Sequence, residues 1–156
     1  MDATADTAQV VIRPPFAWGL AVIAGLVLHW LVPWPFLPDH LPAGWLGWII
    51  FMLALALFVW AIVTITKTGS NVPTNRPTTA IVESGPYRFT RNPIYLGMML
   101  GLVGLAVALD NLWLLVTLVL FALTIRYGVV AREERYLERK FGAVYGGYRS
   151  RVRRWL

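Results

Sequence analysis

The sequence predicts an all-α integral membrane protein, a helical bundle of about four transmembrane helices followed by a C-terminal interfacial amphipathic helix. Apolar residues make up 58% of the 156-residue chain and charged residues only 14%, whereas soluble domains average roughly 45–50% and about 25%. The length favours one domain, residues 1–156. The apolar residues are also gathered into four long runs, at about residues 16–32, 45–66, 94–109 and 112–131.

A proline-rich segment separates the first two runs, and a polar turn separates the last two. "VPWPFLP" ends the first run, because each proline removes a backbone donor. We expect this first helix to be retained, since no small-residue cleavage site follows it. The second run is the clearest span, because roughly 20 apolar residues cross the hydrocarbon core. Asp110-Asn111 predicts a tight hairpin between the last two runs, which are short enough that local bilayer thinning and a shallow hairpin both remain open.

The charge distribution predicts the orientation of these helices. With four spans, each of the 14 Lys and Arg residues lies at the N-terminus, in the loop 67–93, or at and beyond Arg126. The positive-inside rule then places both termini in the cytoplasm, at the inner membrane if the cell is bacterial. The net charge of +6 is accounted for by this face and by anionic lipid, so we expect the bilayer as a partner and no nucleic acid. Five tryptophans cluster toward the opposite face as an aromatic belt would: Trp30, Trp34, Trp45, Trp48 and Trp113.

Three glycines in the third run mark a helix-packing face. Gly97, Gly101 and Gly104 follow each other at small-residue spacing, which predicts close approach of another helix. That helix belongs either to the same chain or to a second copy, so an oligomer through this face stays open. A metal site is not expected, because the chain has no cysteine and its two histidines are not spaced as ligands.

The loop before the third run carries the densest polar cluster of the chain, in "SGPYRFTRNPIYLGMM", residues 84–99. We expect the loop 67–93 to form a structured lid or binding loop, because long loops are usually functional or disordered and this one holds several apolar residues. Asn92 suits a helix N-cap and Pro93 suits the first helical position.

Helix capping does not account for Arg91, Tyr95 or the Gly85-Pro86-Tyr87 turn. A helix N-terminus favours an anionic group, and a guanidinium binds carboxylate or phosphate. The cluster therefore predicts a site for an acidic group at the membrane surface.

The tail 132–156 has aromatic and apolar residues at steps of three to four, opposite arginines. This pattern predicts an interfacial amphipathic helix interrupted at Gly146-Gly147. Glu133 and Glu134 stand at its start. They either form salt bridges to neighbouring arginines, or one of them binds a ligand ammonium or a ribose diol. The neighbouring arginines are Arg126, Arg132 and Arg135.

Several blocks together resemble the isoprenylcysteine carboxyl methyltransferase family, which is related to the phospholipid methyltransferases. The resemblance covers roughly Thr68 to the C-terminus. It rests on Gly85-Pro86-Tyr87, then Arg91-Asn92-Pro93-x-Tyr95-x-Gly97, then Glu133-Glu134-x-x-Leu137 and Phe141-Gly142-x-x-Tyr145-x-x-Tyr148.

The resemblance implies a multi-span enzyme that uses S-adenosylmethionine to methylate a lipid-like or prenylated acceptor, on a carboxylate oxygen or an amine nitrogen. It also implies that Asn92 stands where the family has histidine. An amide forms hydrogen bonds but is neither acid nor base near neutral pH, so we expect this position only to bind cofactor. By the same resemblance Arg91 and Glu134 are the candidate catalytic residues. The implied cofactor-binding residues are Gly85, Tyr87, Arg91, Asn92, Tyr95, Glu133 and Glu134.

Two other functions remain open from the sequence. Membrane sterol-type reductases have somewhat similar C-terminal hairpins, but NADPH would need more basic residues than Arg88 and Arg91 offer. A non-catalytic scaffold with a basic, lipid-binding tail would account for the tail's arginines but not for residues 87–95.

Overall fold

The computed structural model describes residues 9–38, 40, 43–69 and 78–156, and the ordered elements in these ranges are all helical. Part of the loop 67–93 therefore lies outside the described residues. The helices are α1 Pro14–Leu31, α2 Gly44–Lys67, a short 3-10 turn Gly85–Arg88, α3 Pro93–Ala108, α4 Leu112–Leu123, a π-helical segment Thr124–Val130, α5 Ala131–Phe141 and α6 Ala143–Arg151.

Three stretches are long and apolar enough to cross a membrane: α1, α2 and the continuous 30-residue helix Leu112–Phe141 that comprises α4, the π segment and α5. The helix α3 is apolar but shorter, at 16 residues. The fourth helix thus continues beyond its predicted end near residue 131. The apolar run ends at that residue, but the helix does not. The charged residues that follow are themselves good helix formers, so the helix continues through them.

The hairpin of α3 and α4 lies at the centre of the bundle, with α2 packed along α3 and α1 packed along α4. Gly104 and Gly47 bring α2 and α3 into backbone contact, since a Cβ on Gly104 would lie 2.6 Å from the Phe51 nitrogen. A Cβ on Gly97 would likewise meet the Ala54 carbonyl at 3.1 Å. The glycine face therefore packs within the chain at Gly97 and Gly104, and a Cβ on Gly101 would lie at ordinary contact distance, 3.7 Å, from the Trp18 ring.

The turn expected at Asp110-Asn111 is present and holds the loop that follows α1. Asp110 Oδ1 accepts hydrogen bonds from the backbone N–H groups of Phe36 and Leu37, both at 2.8 Å. Asn111 is the N-cap of α4, and its amide donates to the Gly25 carbonyl at 3.2 Å. One polar turn thus connects α1 and the loop that follows it to the junction of α3 and α4.

The core lies between α3 and the long fourth helix, where Leu102, Leu114, Ile125 and Val129 are fully buried. Most large apolar side chains of α1 and α2 instead lie on the outside of the bundle, as expected of helices that face lipid.

The tail forms two helices that break at Gly142, where φ is +49°. The break predicted at Gly146-Gly147 is wrong, because α6 continues through both glycines. Tyr136, Tyr145 and Tyr148 from the predicted apolar face are buried within the protein itself. The tail therefore folds back onto the same end of the bundle as the motif before α3.

Candidate functional site

The π-helical segment leads directly into the helix that carries the two glutamates. Thr124–Val130 is π-helical, and α5 begins at Ala131 with Glu133 and Glu134 in its first turn. Neighbouring residues on a helix point about 100° apart, so the two carboxylates reach different partners. π-Helical turns are rare in proteins overall, but those that occur are often found at functional sites.

Glu134 lies between two arginines that come from distant parts of the chain. Its Oε1 is 3.2 Å from Arg91 Nη2, and its Oε2 is 2.6 Å from Arg154 Nη2. Arg154 Nε also donates to Oε1 at 3.0 Å, so this guanidinium binds both carboxylate oxygens. The suggested salt bridges from Glu134 to the arginines of its own helix are therefore wrong. The helix directs Glu134 inward, where it is 9% exposed.

The Nε atom of Arg91 is a donor without a partner among the described residues. The Arg91 side chain is 9% exposed; Nη1 donates to the Tyr145 hydroxyl at 3.2 Å, and Nη2 faces Glu134. Its Nε is buried and has no hydrogen-bond partner. A buried unpaired donor of a charged group is costly, which makes Nε a position where an added acceptor would be stabilised.

Glu133 binds a tyrosine instead of a cation. The Tyr95 hydroxyl donates to Glu133 Oε1 at 2.7 Å. None of the ion pairs found in the described ranges involves Glu133. Glu133 is half-buried, and a carboxylate partly removed from water is stabilised by a cation or by further donors, so Glu133 can take one more positively charged partner.

Tyr87 is buried between α2 and the site. Burial raises the pKa of Tyr87, and the nearby Tyr148 and Glu133 raise it further. The Tyr148 hydroxyl donates to the Tyr87 carbonyl at 2.8 Å, and burial is the main cause that raises the pKa of Tyr148 as well. Both phenols therefore stay protonated and neutral at physiological pH.

Asn92 occupies the N-cap position of α3, but its side chain does not cap the helix. Its amide is turned away and donates from Nδ2 to the Arg154 carbonyl at 3.0 Å. The expectation of a capping side chain is wrong at this residue, because the chain's last residues supply a carbonyl that takes the amide donor.

Gly85 packs against α2. Its φ is +56°, and a Cβ there would lie 2.7 Å from the Thr64 hydroxyl. A glycine is required both by the backbone conformation and by this close approach.

The structure thus brings Arg91 to Glu134 and Tyr95 to Glu133, while Gly85 and Asn92 hold neighbouring segments in place. Arg154 was not predicted as part of this cluster. It is one of several arginines in the tail, and nothing in its spacing distinguished it. Tyr145 belongs to the Phe141–Tyr148 motif of the resemblance, but it was predicted to lie on the membrane-facing side of the amphipathic helix.

The comparisons with known proteins agree with the resemblance described above. The family model for phospholipid methyltransferase matches residues 42–144, which includes α2, α3 and the long fourth helix. The chain belongs to the phospholipid methyltransferase family, a family of membrane methyltransferases. An uncharacterised protein of Haemophilus influenzae is 41% identical over 63 residues, which cover 40% of this chain and the whole of that protein. No solved structure matches the chain.

Proposed function

We propose that this protein is an S-adenosylmethionine-dependent methyltransferase that methylates a lipid-like or prenylated acceptor at the cytoplasmic face of the membrane. The observation that carries the proposal is a pair of side chains at one end of the bundle that can each take a further charged partner. Arg91 offers a buried Nε without a partner, and Glu133 offers a carboxylate bound only by the Tyr95 hydroxyl among the interactions found.

These residues fit the amino-acid part of the cofactor, which carries one carboxylate and one ammonium group. Arg91 would bind the carboxylate, since a guanidinium N–H prefers an ionised acceptor. Glu133 would bind the ammonium or the ribose, and Glu134 would hold Arg91 in place. When bound, S-adenosylmethionine supplies the methyl group on a cationic sulfur.

The two tyrosines complete this part of the proposal. Tyr87 and Tyr95 keep neutral rings beside the site, and an aromatic face attracts a cation. Both are largely buried, so they also exclude water from the position where alignment of the reactants supplies much of the rate.

Proton transfer, where the acceptor needs it, does not involve Asn92. Asn92 has no acid or base function, and its amide is bound to the Arg154 carbonyl. An amine acceptor must lose a proton before it reacts. A carboxylate acceptor needs no base, so both classes of acceptor remain within the proposal.

A cleft between α1, α2 and α3 would hold the apolar chain of the acceptor. It has a volume of about 220 Å³ and is bordered by aromatic and aliphatic side chains and by two glycines. Met98 on its floor follows Tyr95 by three residues, which is about 4.5 Å along the helix axis. The residues around the cleft are Pro15, Trp18, Phe51, Ala54, Leu55, Phe58, Gly97, Met98 and Gly101.

Calorimetry with S-adenosylhomocysteine, the demethylated product, tests the cofactor site. Wild-type protein in detergent micelles should release heat with a saturating isotherm. Arg91→Ala and Glu133→Gln should each weaken binding by about tenfold or more, as expected for loss of a charged hydrogen bond. Arg149→Ala is the matched control, because Arg149 pairs with Glu138 on the exposed surface. Absence of heat with the wild type, or equal binding by all four proteins, would contradict the proposal.

A further inference from the structure

We propose that Arg154 is a positioning residue of the cofactor site, acting through Glu134 on Arg91. The inference rests on the proposed function and adds the C-terminal segment, residues 152–156, to the site. This segment lies beyond the part of the chain that matches the family.

The backbone of the C-terminal segment is fixed across the start of α3. The backbone carbonyl of Arg153 accepts a hydrogen bond from the backbone N–H of Arg91 at 3.0 Å. The Arg154 carbonyl accepts from the Thr90 hydroxyl at 3.1 Å and from the Asn92 amide at 3.0 Å. Trp155 then packs on the hydrophobic core. Four separate contacts thus place Arg154 at one position relative to Arg91.

The side chain of Arg154 donates hydrogen bonds to both carboxylate oxygens of Glu134, at 3.0 and 2.6 Å. Two parallel N–H donors match the geometry of a carboxylate and fix its orientation. Glu134 is left with a single contact to Arg91, from Oε1 to Nη2 at 3.2 Å. Arg91 Nε has no partner in the same cluster.

This arrangement keeps Arg91 available for an anionic ligand. Two guanidinium groups share one carboxylate, so the cluster carries an excess of one positive charge. Without Arg154, Glu134 would be free to turn and bind Arg91 through two bonds, including the one at Nε. The ligand's carboxylate would then compete with an internal one, so Arg154 preserves affinity without touching the ligand.

The test compares two ligands on two matched variants. S-Adenosylhomocysteine carries the amino-acid group, whereas 5′-methylthioadenosine lacks it. Arg154→Gln should bind S-adenosylhomocysteine about tenfold more weakly, the loss expected for a disturbed charged hydrogen bond, and should bind methylthioadenosine as the wild type does. Arg151→Gln is the control, because it removes the same charge from the same tail where Arg151 pairs with Glu83 on the surface.

Two further variants test the route through Glu134. Arg154→Lys retains the charge but loses the two parallel hydrogen bonds to Glu134. Its affinity for S-adenosylhomocysteine should therefore lie between those of wild type and Arg154→Gln. In a Glu134→Gln background, Arg154→Gln should cause no additional loss, since the residue through which it acts is already neutral.

The sign and the ligand dependence of the effect decide the outcome. Unchanged affinity in Arg154→Gln would overturn the inference while leaving the proposed function intact. Tighter binding would also overturn it, because the segment would then obstruct the site. Equal weakening for both ligands would indicate a merely structural role and count against it. If the wild type binds neither ligand, the proposed function itself fails and the inference falls with it.

Discussion

Glu134 holds together the charge cluster at the cytoplasmic end proposed for the bundle. It is the carboxylate shared by Arg91 and Arg154, and Arg91 is as buried as Glu134 itself. A buried charge that loses its partner is far more costly than a surface pair. The stability of this region should therefore depend on Glu134 more than on any exposed ion pair of the tail.

Glu134→Ala should lower the free energy of unfolding by about 3 kcal/mol, because it leaves a buried guanidinium unpaired. Thermal or denaturant unfolding in micelles measures the change. Glu138→Ala is the matched control. It removes a carboxylate from an exposed pair with Arg149, and such pairs contribute at most about 1 kcal/mol. Equal losses in the two variants would show that the cluster contributes nothing beyond a surface salt bridge.

The π-helical segment sets the direction in which α5 presents its carboxylates. A π turn accommodates one residue more than an α-helical turn. Tyr127 lies within it and is 64% exposed, so its side chain contributes little to the core. If the same number of residues were wound as a regular α-helix, α5 would be rotated by about 100°, so the π segment absorbs one residue and keeps α5 in its direction.

Deletion of Tyr127 should leave binding of S-adenosylhomocysteine largely intact, because the shortened segment can wind as an α-helix and keep Glu133 facing Tyr95. The helical content measured by circular dichroism should remain that of the wild type. Tyr127→Ala, which keeps the backbone length, should bind normally. Loss of binding by the deletion variant, at unchanged helical content, would contradict this account of the π segment.

Close packing between α2 and α3 determines where the motif before α3 stands. A Cβ on Gly104 would lie 2.6 Å from the Phe51 backbone nitrogen, whereas a Cβ on Gly19 meets nothing within 4 Å. Gly104→Ala should therefore destabilise the protein by about 1–3 kcal/mol through overpacking. Gly19→Ala should be neutral or slightly stabilising, since alanine is the better helix former. Unfolding in micelles distinguishes the two, and a neutral Gly104→Ala would contradict the close approach.

At the scale of the whole molecule, the residues just before α1 lie beside the residues that lead into the tail. The Val11 N–H donates to the Gly128 carbonyl at 3.2 Å, and Arg132 donates to the Gln9 carbonyl at 2.9 Å. The start of α1 and the tail therefore lie at one end of the bundle, together with the candidate site. The distribution of Lys and Arg predicts that this end faces the cytoplasm.

Reporter fusions at each terminus should both indicate a cytoplasmic position, whereas a reporter inserted at His40, between α1 and α2, should lie on the other side. A protease-accessibility experiment on sealed vesicles provides an independent measurement. Termini on opposite sides of the membrane would contradict the four-helix topology.

The sequence predicted the helices because their cause is local. Apolar runs of sufficient length specify α1, α2 and the central hairpin, and Asp110-Asn111 specifies the turn between α3 and α4. The end of the fourth helix was misplaced, because hydropathy records burial in lipid and not helical winding. The motif before α3 was found for a similar reason, since Arg91 and Tyr95 stand out in an apolar chain.

The partners of these residues could not be predicted in the same way. Arg154 reaches Glu134 from 20 positions along the chain, and it does so only because the tail breaks at Gly142 and folds back. The orientation of Asn92 likewise depends on the carbonyl of Arg154, which no local pattern reveals. Contacts of this kind follow from tertiary packing and need the folded chain.

Methyl transfer by the purified protein tests the central claim most directly. The protein is reconstituted in phospholipid vesicles with S-adenosylmethionine labelled on its methyl group, and the label is followed into the lipid extract. We predict label in a lipid product with wild type and Arg149→Ala, and a loss of at least tenfold with Arg91→Ala and Glu133→Gln. Supplying vesicles with lipids bearing primary amines, and separately with prenylated carboxylates, identifies the acceptor. Absence of label in every lipid tested, from protein that binds the cofactor, would contradict lipid methylation.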